Sequence, residues 1–462
     1  MEHITVKDIV EATGGTLLAG DGTTPLQHIS IDSRTMQGND LFVPLVGEKN
    51  DAHRFIHQAM ANGAKASLTS QHTECPEGMN GALIQVADTK KALQDIGYFL
   101  RSRLTLPLIG ITGSVGKTTT REMVAAALSA GYKVFKTPAN HNSQIGVPIT
   151  ISEIGSADEI GVLELGMSEP GEMTVISHIA GVDMALITNV GVTHIENLGS
   201  RENILHEKLN IQDGLKEGGI LFLNGDNDLL KEVKARDGYE TVYYGIGENN
   251  DYRAVDIDIQ EGKPSFVMKH GEQRIPVRLN IMGEHNILNA LAALAVADRC
   301  HVSLEAAAEK LAEFEGFKNR QQIYENKGIT IIDDTYNASP DSMKAGIRVL
   351  AALHPKGRRI AVLADMKELG EDSPHFHYEI GEFLQKQPID EVVTYGELAK
   401  EIAGGLEASI HAVCFLEDEK SDMTEYLKES LKPGDAVLFK GSNSMNLGET
   451  AAYFIKTEQV KL

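Results

Sequence analysis

The stretch Leu106-Pro107-Leu108-Ile109-Gly110-Ile111-Thr112-Gly113-Ser114-Val115-Gly116-Lys117-Thr118-Thr119 decides how this chain folds. Leu106 to Ile111 is an apolar run, the residues after it are small and glycine-rich, and a helix-patterned segment follows Lys117. The stretch therefore reads as a strand, a loop and a helix start. Glycines let backbone N–H groups turn inward around a phosphate, Lys117 brings charge to the terminal phosphates, and the Thr118 hydroxyl can hold Mg²⁺. Gly113, Ser114, Gly116, Lys117, Thr118 and Thr119 are the expected ATP-phosphate residues. The spacing is a shortened one. A general P-loop has four residues between its glycines, whereas Gly113 and Gly116 enclose two, and Ile111 stands where the general motif has glycine.

Working outward, apolar strand-like runs alternate with helical patterns on the C-terminal side: Leu108 to Ile111, Ile160 to Leu165, Met184 to Ile187 and Ile220 to Leu223. This alternation predicts a mostly parallel sheet covered by helices. A charged, β-patterned insert, roughly Tyr243 to Leu279, precedes the Ala-rich helix Ile287 to Ala297, and a helix from about Leu304 to Phe314 closes the unit. A second series follows from Gly316: Ile329 to Ile332, Ile360 to Ala364, Glu391 to Tyr395 and Ala436 to Phe439, with a helix start at Ser339-Pro340-Asp341. Before the P-loop stretch lie β-like runs at Ile29 to Ile31 and Asp40 to Leu45, helical patterns at His53 to Asn62 and Lys90 to Leu100, and a join at Arg101 to Pro107. The expected fold is α/β in three domains: a small α/β domain over 1–100, a central P-loop parallel-sheet ATPase domain over 101–315, and a C-terminal Rossmann-like domain over 316–462. A length of 462 residues suits that count.

With 43 basic against 66 acidic residues the net charge is −23, which disfavours nonspecific binding to nucleic acid or to an anionic membrane surface. Cys75, Cys300 and Cys414 are far apart, form no C-x-x-C pattern and read as ordinary thiols of a reducing compartment. Without a signal core or an apolar run near about 18 residues, the expectation is a cytoplasmic monomer.

Ligands of open parallel sheets sit beyond the carboxyl ends of the strands, so polar residues that close apolar runs carry weight. Glu164 closes one, and Thr188-Asn189-Val190-Gly191-Val192-Thr193-His194 continues another. Mg²⁺ prefers oxygen ligands, which makes Glu164 and Thr118 natural partners and His194 an atypical third.

These motifs resemble those of the Mur ligases. The resemblance rests on the shortened loop, Thr137 to Pro148, the Glu164 and His194 motifs, Gly283-Glu284-His285-Asn286-Ile287-Leu288-Asn289-Ala290, and Asp333-Asp334-Thr335-Tyr336-Asn337-Ala338-Ser339-Pro340. Asp32-Ser33-Arg34 with Gly38 to Val43 extends it over essentially the whole chain, and the Asp333 motif points to the member that joins D-alanyl-D-alanine to UDP-N-acetylmuramoyl-tripeptide. The resemblance implies an ATP-dependent amide ligase of peptidoglycan precursor synthesis, working through an acyl phosphate with two Mg²⁺ ions and releasing ADP and phosphate. It implies Thr118 on the phosphate-bound ion, Glu164 and His194 on the second, Asn286 and Asn289 beside adenine, Asp334 on ribose, and Arg320 reaching the γ-phosphate. Ser33, Arg34, Asn140 and Asn142 become substrate-binding candidates, and Asp365-Met366-Lys367-Glu368-Leu369-Gly370 lies near the incoming dipeptide.

Lys208 aligns with the lysine that the family carries as a carbamate, and its carbamylation is expected. An ammonium about 4 Å from Mg²⁺ is repelled by about 8 kcal/mol at an effective dielectric near 20, and carbamylation reverses that sign. Lys117, Lys208 and His194 are the expected catalytic set. Three departures from the family pattern are Asn210 in place of Glu, Ser143 in place of Asn, and Asn443 in place of Arg. A sister ligase adding a diamino acid would carry Asp-Asn-Pro-Arg, which is absent, and a folylpolyglutamate synthase shares the fold. A nucleotide switch would not need Glu164, His194 and Lys208 together.

Overall fold

The computed structural model describes residues 1–47 and 50–456, so Glu48, Lys49 and the last six positions of the expected C-terminal unit lie outside the described residues. Three large sheets carry the architecture. The first has the strand order Thr16–Ala19, Ala82–Gln85, Ala64–Thr69, Asp40–Phe42, His28–Ser30, parallel except at its first pair. The expected run from Asp40 to Leu45 pairs only as far as Phe42, and Pro44, with no N–H to donate, stands just beyond. Helices Val6–Thr13, Ile56–Ala61 and Thr89–Arg103 accompany this sheet.

The helix Thr89–Arg103 runs through the expected join at Arg101. Arg101 is buried and donates from Nε to Ala180 O at 2.9 Å, from Nη2 to Gly181 O at 2.9 Å and to Asp183 at 3.3 Å. A guanidinium satisfied this way is a structural tie to the next unit. Gly97 on the same helix lets it press against Pro148, where a Cβ would lie 2.8 Å from the proline Cβ. One apolar cluster accordingly runs from Ile4 through Ile96 and Val147 to Leu230 across the first two units.

The second sheet has nine strands in the order Gln273–Arg278, Lys263–His270, Tyr252–Gln260, Glu240–Gly245, Ile220–Asn224, Met184–Ile187, Leu108–Thr112, Ile160–Glu164, Val134–Lys136. It is parallel from Val134–Lys136 to Tyr252–Gln260, and the last two pairings are antiparallel. The β-patterned insert is thus a continuation of this sheet. The strands at its centre are buried on both faces, as a parallel sheet between helices requires. After Leu108–Thr112 the chain adds strands first on one side and then on the other, which opens a crevice at the carboxyl end of that strand.

The third sheet has the order Gln322–Asn326, Ile329–Asp334, Ala436–Lys440, Arg359–Ala364, Glu391–Tyr395, His411–Phe415, parallel except at its first pair. Its neighbouring strands end at Asp334, Lys440 and Ala364, with Asp365 following. No helix among the described residues is long and apolar enough to cross a membrane.

Candidate active site

A cleft of about 750 Å³ is lined from one side by Ser114 to Thr119, Glu164 and His194, and from the other by Arg320, Asp334, Tyr336 and Lys440. The carboxyl ends of two sheets therefore share one space.

The glycine loop is fastened to the segment after Met184–Ile187. Ser114 N donates to Asn189 O at 3.1 Å, Val115 N to Asn189 Oδ1 at 2.8 Å, and Gly191 N to Ser114 Oγ at 3.0 Å. Gly113 has φ of +150°, and a Cβ there would fall 1.8 Å from Thr188 Oγ1, so only glycine fits. Gly116, at φ of +85°, turns the chain into the helix Lys117–Leu128, whose N-terminal N–H groups face the cleft as an anion site. Lys117 Nζ folds back to donate to Gly113 O at 2.7 Å. Burial pushes its amine below the usual lysine range, Arg320 adds to that and Glu164 opposes it. A terminal phosphate at this amine would favour its charged form further.

Glu164 is 3 % exposed and closes its strand in the cleft. Its carboxylate accepts from Asn142 Nδ2 at 2.8 Å and from Arg121 Nη1 at 3.2 Å. Arg121, 1 % exposed, also donates to Ala139 O at 3.0 Å and to Glu122 at 2.6 Å. Asn286 and Asn289 lie against this loop: Asn289 Nδ2 donates to Asn286 Oδ1 at 2.9 Å, and Thr120 Oγ1 donates to Asn289 Oδ1 at 3.0 Å.

From the third sheet, Arg320 Nη2 donates to Thr118 Oγ1 at 3.1 Å, and its guanidinium stacks 3.8 Å over the Tyr336 ring. Asp334 accepts from Lys440 Nζ at 2.7 Å. That lysine is buried, and burial pushes its amine down while Asp334 pulls it up. His285, beside them, is pushed down to about 4 by burial against the pull of Asp334. His194 lines the cleft with φ of +66°, and its Nδ1 lies 2.5 Å from the Glu368 carboxylate.

Lys208, 1 % exposed on the helix Arg201–Leu209, does not line the cleft but lies near enough to Lys117 for their charges to oppose. Burial first, and Lys117 second, push its amine well below the usual lysine range. The Asn210 departure has a local use: its Nδ2 donates to Glu207 at 3.2 Å, and Glu207 in turn accepts from Met173 N and Gly171 N. Ser143 Oγ accepts from Gly146 N at 3.3 Å, and Asn443 is exposed.

Ser33, Arg34 and Asn140 are not brought to this cleft. Ser33 is buried against Gln58, Arg34 is exposed and paired with Asp32 at 2.7 Å, and Asn140 is exposed. Conversely, Arg121, Lys440, Tyr336, His285 and Glu368 stand in or against the site although none was given a role of its own from the sequence, where Tyr336, His285 and Glu368 are only members of quoted motifs. Arg121 could have been found by its place one turn beyond Lys117, on the same helix face. Lys440 could have been found by closing a strand beside Asp334.

The donor set suits Mg²⁺. No cluster of three or more His, Cys, Asp or Glu among the described residues could enclose an ion. Separate oxygen donors, the Thr118 hydroxyl and the Glu164 carboxylate, line the cleft and would hold such an ion together with oxygens that the chain does not supply.

Three family models cover most of the chain: the Mur ligase family catalytic domain over 25–98, the Mur ligase middle domain over 111–297, and the Mur ligase glutamate ligase domain over 319–443. The chain is 39% identical to the UDP-N-acetylmuramoyl-tripeptide–D-alanyl-D-alanine ligase of Bacillus subtilis over 98% of both chains, and 32% identical to that of Escherichia coli over 87% and 88%. A crystal structure of MurF from Acinetobacter baumannii superposes with a TM-score of 0.89 at 30% identity, covering 98% of this chain and 99% of that one. MurF ligase from Thermotoga maritima in complex with ADP gives 0.82 at 30% identity over 93% and 97%. With sequence likeness along its full length, the same three-domain α/β architecture and a glycine loop facing a third sheet, the chain belongs to the Mur ligase family.

Proposed function

We propose that the chain joins D-alanyl-D-alanine to UDP-N-acetylmuramoyl-tripeptide, using ATP and releasing ADP and phosphate. The observation that carries this reading is the meeting of Lys117, Thr118 and Glu164 with Arg320 and Asp334 in one cleft. The relatives' names supply the substrates.

In this reading 1–100 anchors the UDP-sugar, 101–315 is a P-loop ATPase domain and 316–462 a Rossmann-like ligase domain. The N–H groups around Gly116 and the Lys117 ammonium hold the terminal phosphates. Arg320 swings its second nitrogen from Thr118 to the γ-phosphoryl group, where charge grows as the P–O bond to ADP breaks and the tripeptide carboxylate oxygen bonds to phosphorus. The dipeptide amine then attacks the acyl phosphate carbon and phosphate leaves. Asn286 and Asn289 flank the adenine, and Asp334, oriented by Lys440, accepts from ribose. Thr118 would hold one Mg²⁺, and Glu164 with His194 the other; bound ions offset the repulsion between ATP and a carboxylate nucleophile. Lys208 is proposed as a carbamate. A buried amine held below its ordinary range is the form that reacts with CO₂, and Lys208 makes no ion pair or hydrogen bond through its amine among the described residues. Ser33, Arg34, Asn140 and Asn142 remain the proposed substrate contacts, and the cytoplasm, where ATP is supplied, the proposed compartment.

Coupled ADP release decides the assignment. Turnover with the tripeptide precursor and D-alanyl-D-alanine is expected; turnover only when a diamino acid replaces the dipeptide would reverse it. Intact mass of active, CO₂-equilibrated protein should show the Lys208 adduct, and an unmodified chain would remove the carbamate.

A further inference from the structure

His194 and Glu368 face each other across the boundary between the second and third sheets, and both have left-handed backbones, φ +66° and +65°. Non-glycine residues hold that conformation at a penalty, so two of them meeting side chain to side chain marks a contact that the surroundings enforce. His194 lines the cleft, whereas Glu368 does not. Glu368 Oε2 approaches His194 Nδ1 at 2.5 Å, although the ring N–H is not well aligned with it, so the approach is better called an ion-pair contact than a finished hydrogen bond. The second ring nitrogen, Nε2, is left free of that contact.

The loop bearing Glu368 is itself fixed. Asp365 accepts from Leu398 N at 3.0 Å and Ala399 N at 2.8 Å, Met366 N donates to His377 Nε2 at 2.9 Å, and Lys367 N donates to Ser442 Oγ at 2.9 Å. Glu368 O in turn accepts from Glu196 N at 3.4 Å. Glu368 is therefore held by a loop of the third unit and reaches His194 across the boundary between the two units. Its side chain is 51% exposed, and a solvated pair of this kind adds little to stability. A carboxylate beside Nδ1 favours the tautomer with the ring proton on that nitrogen, which leaves the Nε2 lone pair available to a ligand.

We propose that Glu368 is a positioning residue for His194, holding the imidazole as an Nε2 donor to the second Mg²⁺ position only when the third unit is docked, so that closure of the units completes that position. The inference rests on the metal assignment proposed above for His194.

The test is Mn²⁺ binding in the presence of a nonhydrolysable ATP analogue, read from the signal of free Mn²⁺ by electron paramagnetic resonance. Glu368→Ala should weaken the second Mn²⁺ by about 10- to 100-fold and leave the first unchanged. Glu368→Gln, whose amide oxygen still accepts from Nδ1–H, should weaken it less, and both variants should melt within about 2 °C of the parent. In a His194→Ala background Glu368→Ala should add nothing, because its effect passes through the ring. Unchanged Mn²⁺ binding in Glu368→Ala, or an equal further loss in the His194→Ala background, would overturn the proposal. Should the parent bind two Mn²⁺ with the analogue yet form no amide from the two substrates, the proposed reaction fails while the metal comparison still decides the role of Glu368.

Discussion

Arg320 Nη2 donates to Thr118 Oγ1 at 3.1 Å, a bond between residues 202 positions apart that ties the third unit to the phosphate end of the glycine loop. The cation thus contacts the hydroxyl proposed to hold Mg²⁺, and its guanidinium lies 3.8 Å over the Tyr336 ring.

Arg320→Ala should lower kcat for ADP release by about 10²–10³-fold, the loss typical when one charge-stabilising donor is removed. Arg320→Lys should restore little, since the ammonium has neither the planar fork nor the stacking surface that Tyr336 uses. Steady-state kinetics with both substrates saturating checks this, and near-parental turnover in Arg320→Lys would show that charge alone suffices.

Lys117→Ala should abolish ligation and leave the fold intact. The amine is strongly desolvated and bonded only to loop carbonyls, so its removal leaves no buried acid without its partner. Far-ultraviolet circular dichroism melts should match or exceed the parent while ADP release falls to background.

Arg121→Met removes the cationic partner of buried Glu164 and one of the two of Glu122, which keeps Lys136. Stripping one side of a buried pair costs about 3–5 kcal/mol, and urea denaturation should record a loss of that size. Mg²⁺ with an ATP analogue should recover part of it, because a cation returns beside Glu164 and binds only the folded chain.

His285 gives a stability signature in acid. Its folded value of about 4 lies below its ordinary 6.5, so the unfolded chain takes up the proton first as pH falls. The contribution is full above about 6.5 and is lost toward 4, with a slope of at most about 1.4 kcal/mol per pH unit. The difference in unfolding free energy between the parent and His285→Gln should therefore change across this window and be flat above it.

Much of the frame is legible in the chain. Strand runs such as Met184 to Ile187 coincide with the observed strands because a parallel strand covered on both faces reads as a continuous apolar run. The β-patterned insert holds strands as read, but alternation does not record which sheet they join: Tyr252–Gln260 pairs with Glu240–Gly245 and so extends the central sheet. The tie that Arg101 makes to the next unit was hidden for a similar reason. A charged residue at a helix end reads as solvated, and only the carbonyls of Ala180 and Gly181, some eighty residues on, show it to be buried.

The sequence by itself determined the glycine loop. Its signals are local: an apolar run, Gly113, Gly116 and Lys117 spell a strand, a phosphate cradle and a helix start within one short window, although Thr188 and Asn189 hold the loop in place. Tertiary structure decided which polar groups meet at the cleft: Arg121 on Glu164 and Lys440 on Asp334 within one unit, Arg320 on Thr118 and Glu368 on His194 between two. Those pairs join residues 43 to 202 positions apart, and their distances are set by strand order and by how the second and third sheets meet. Neither is written in any window of sequence short enough to have a period.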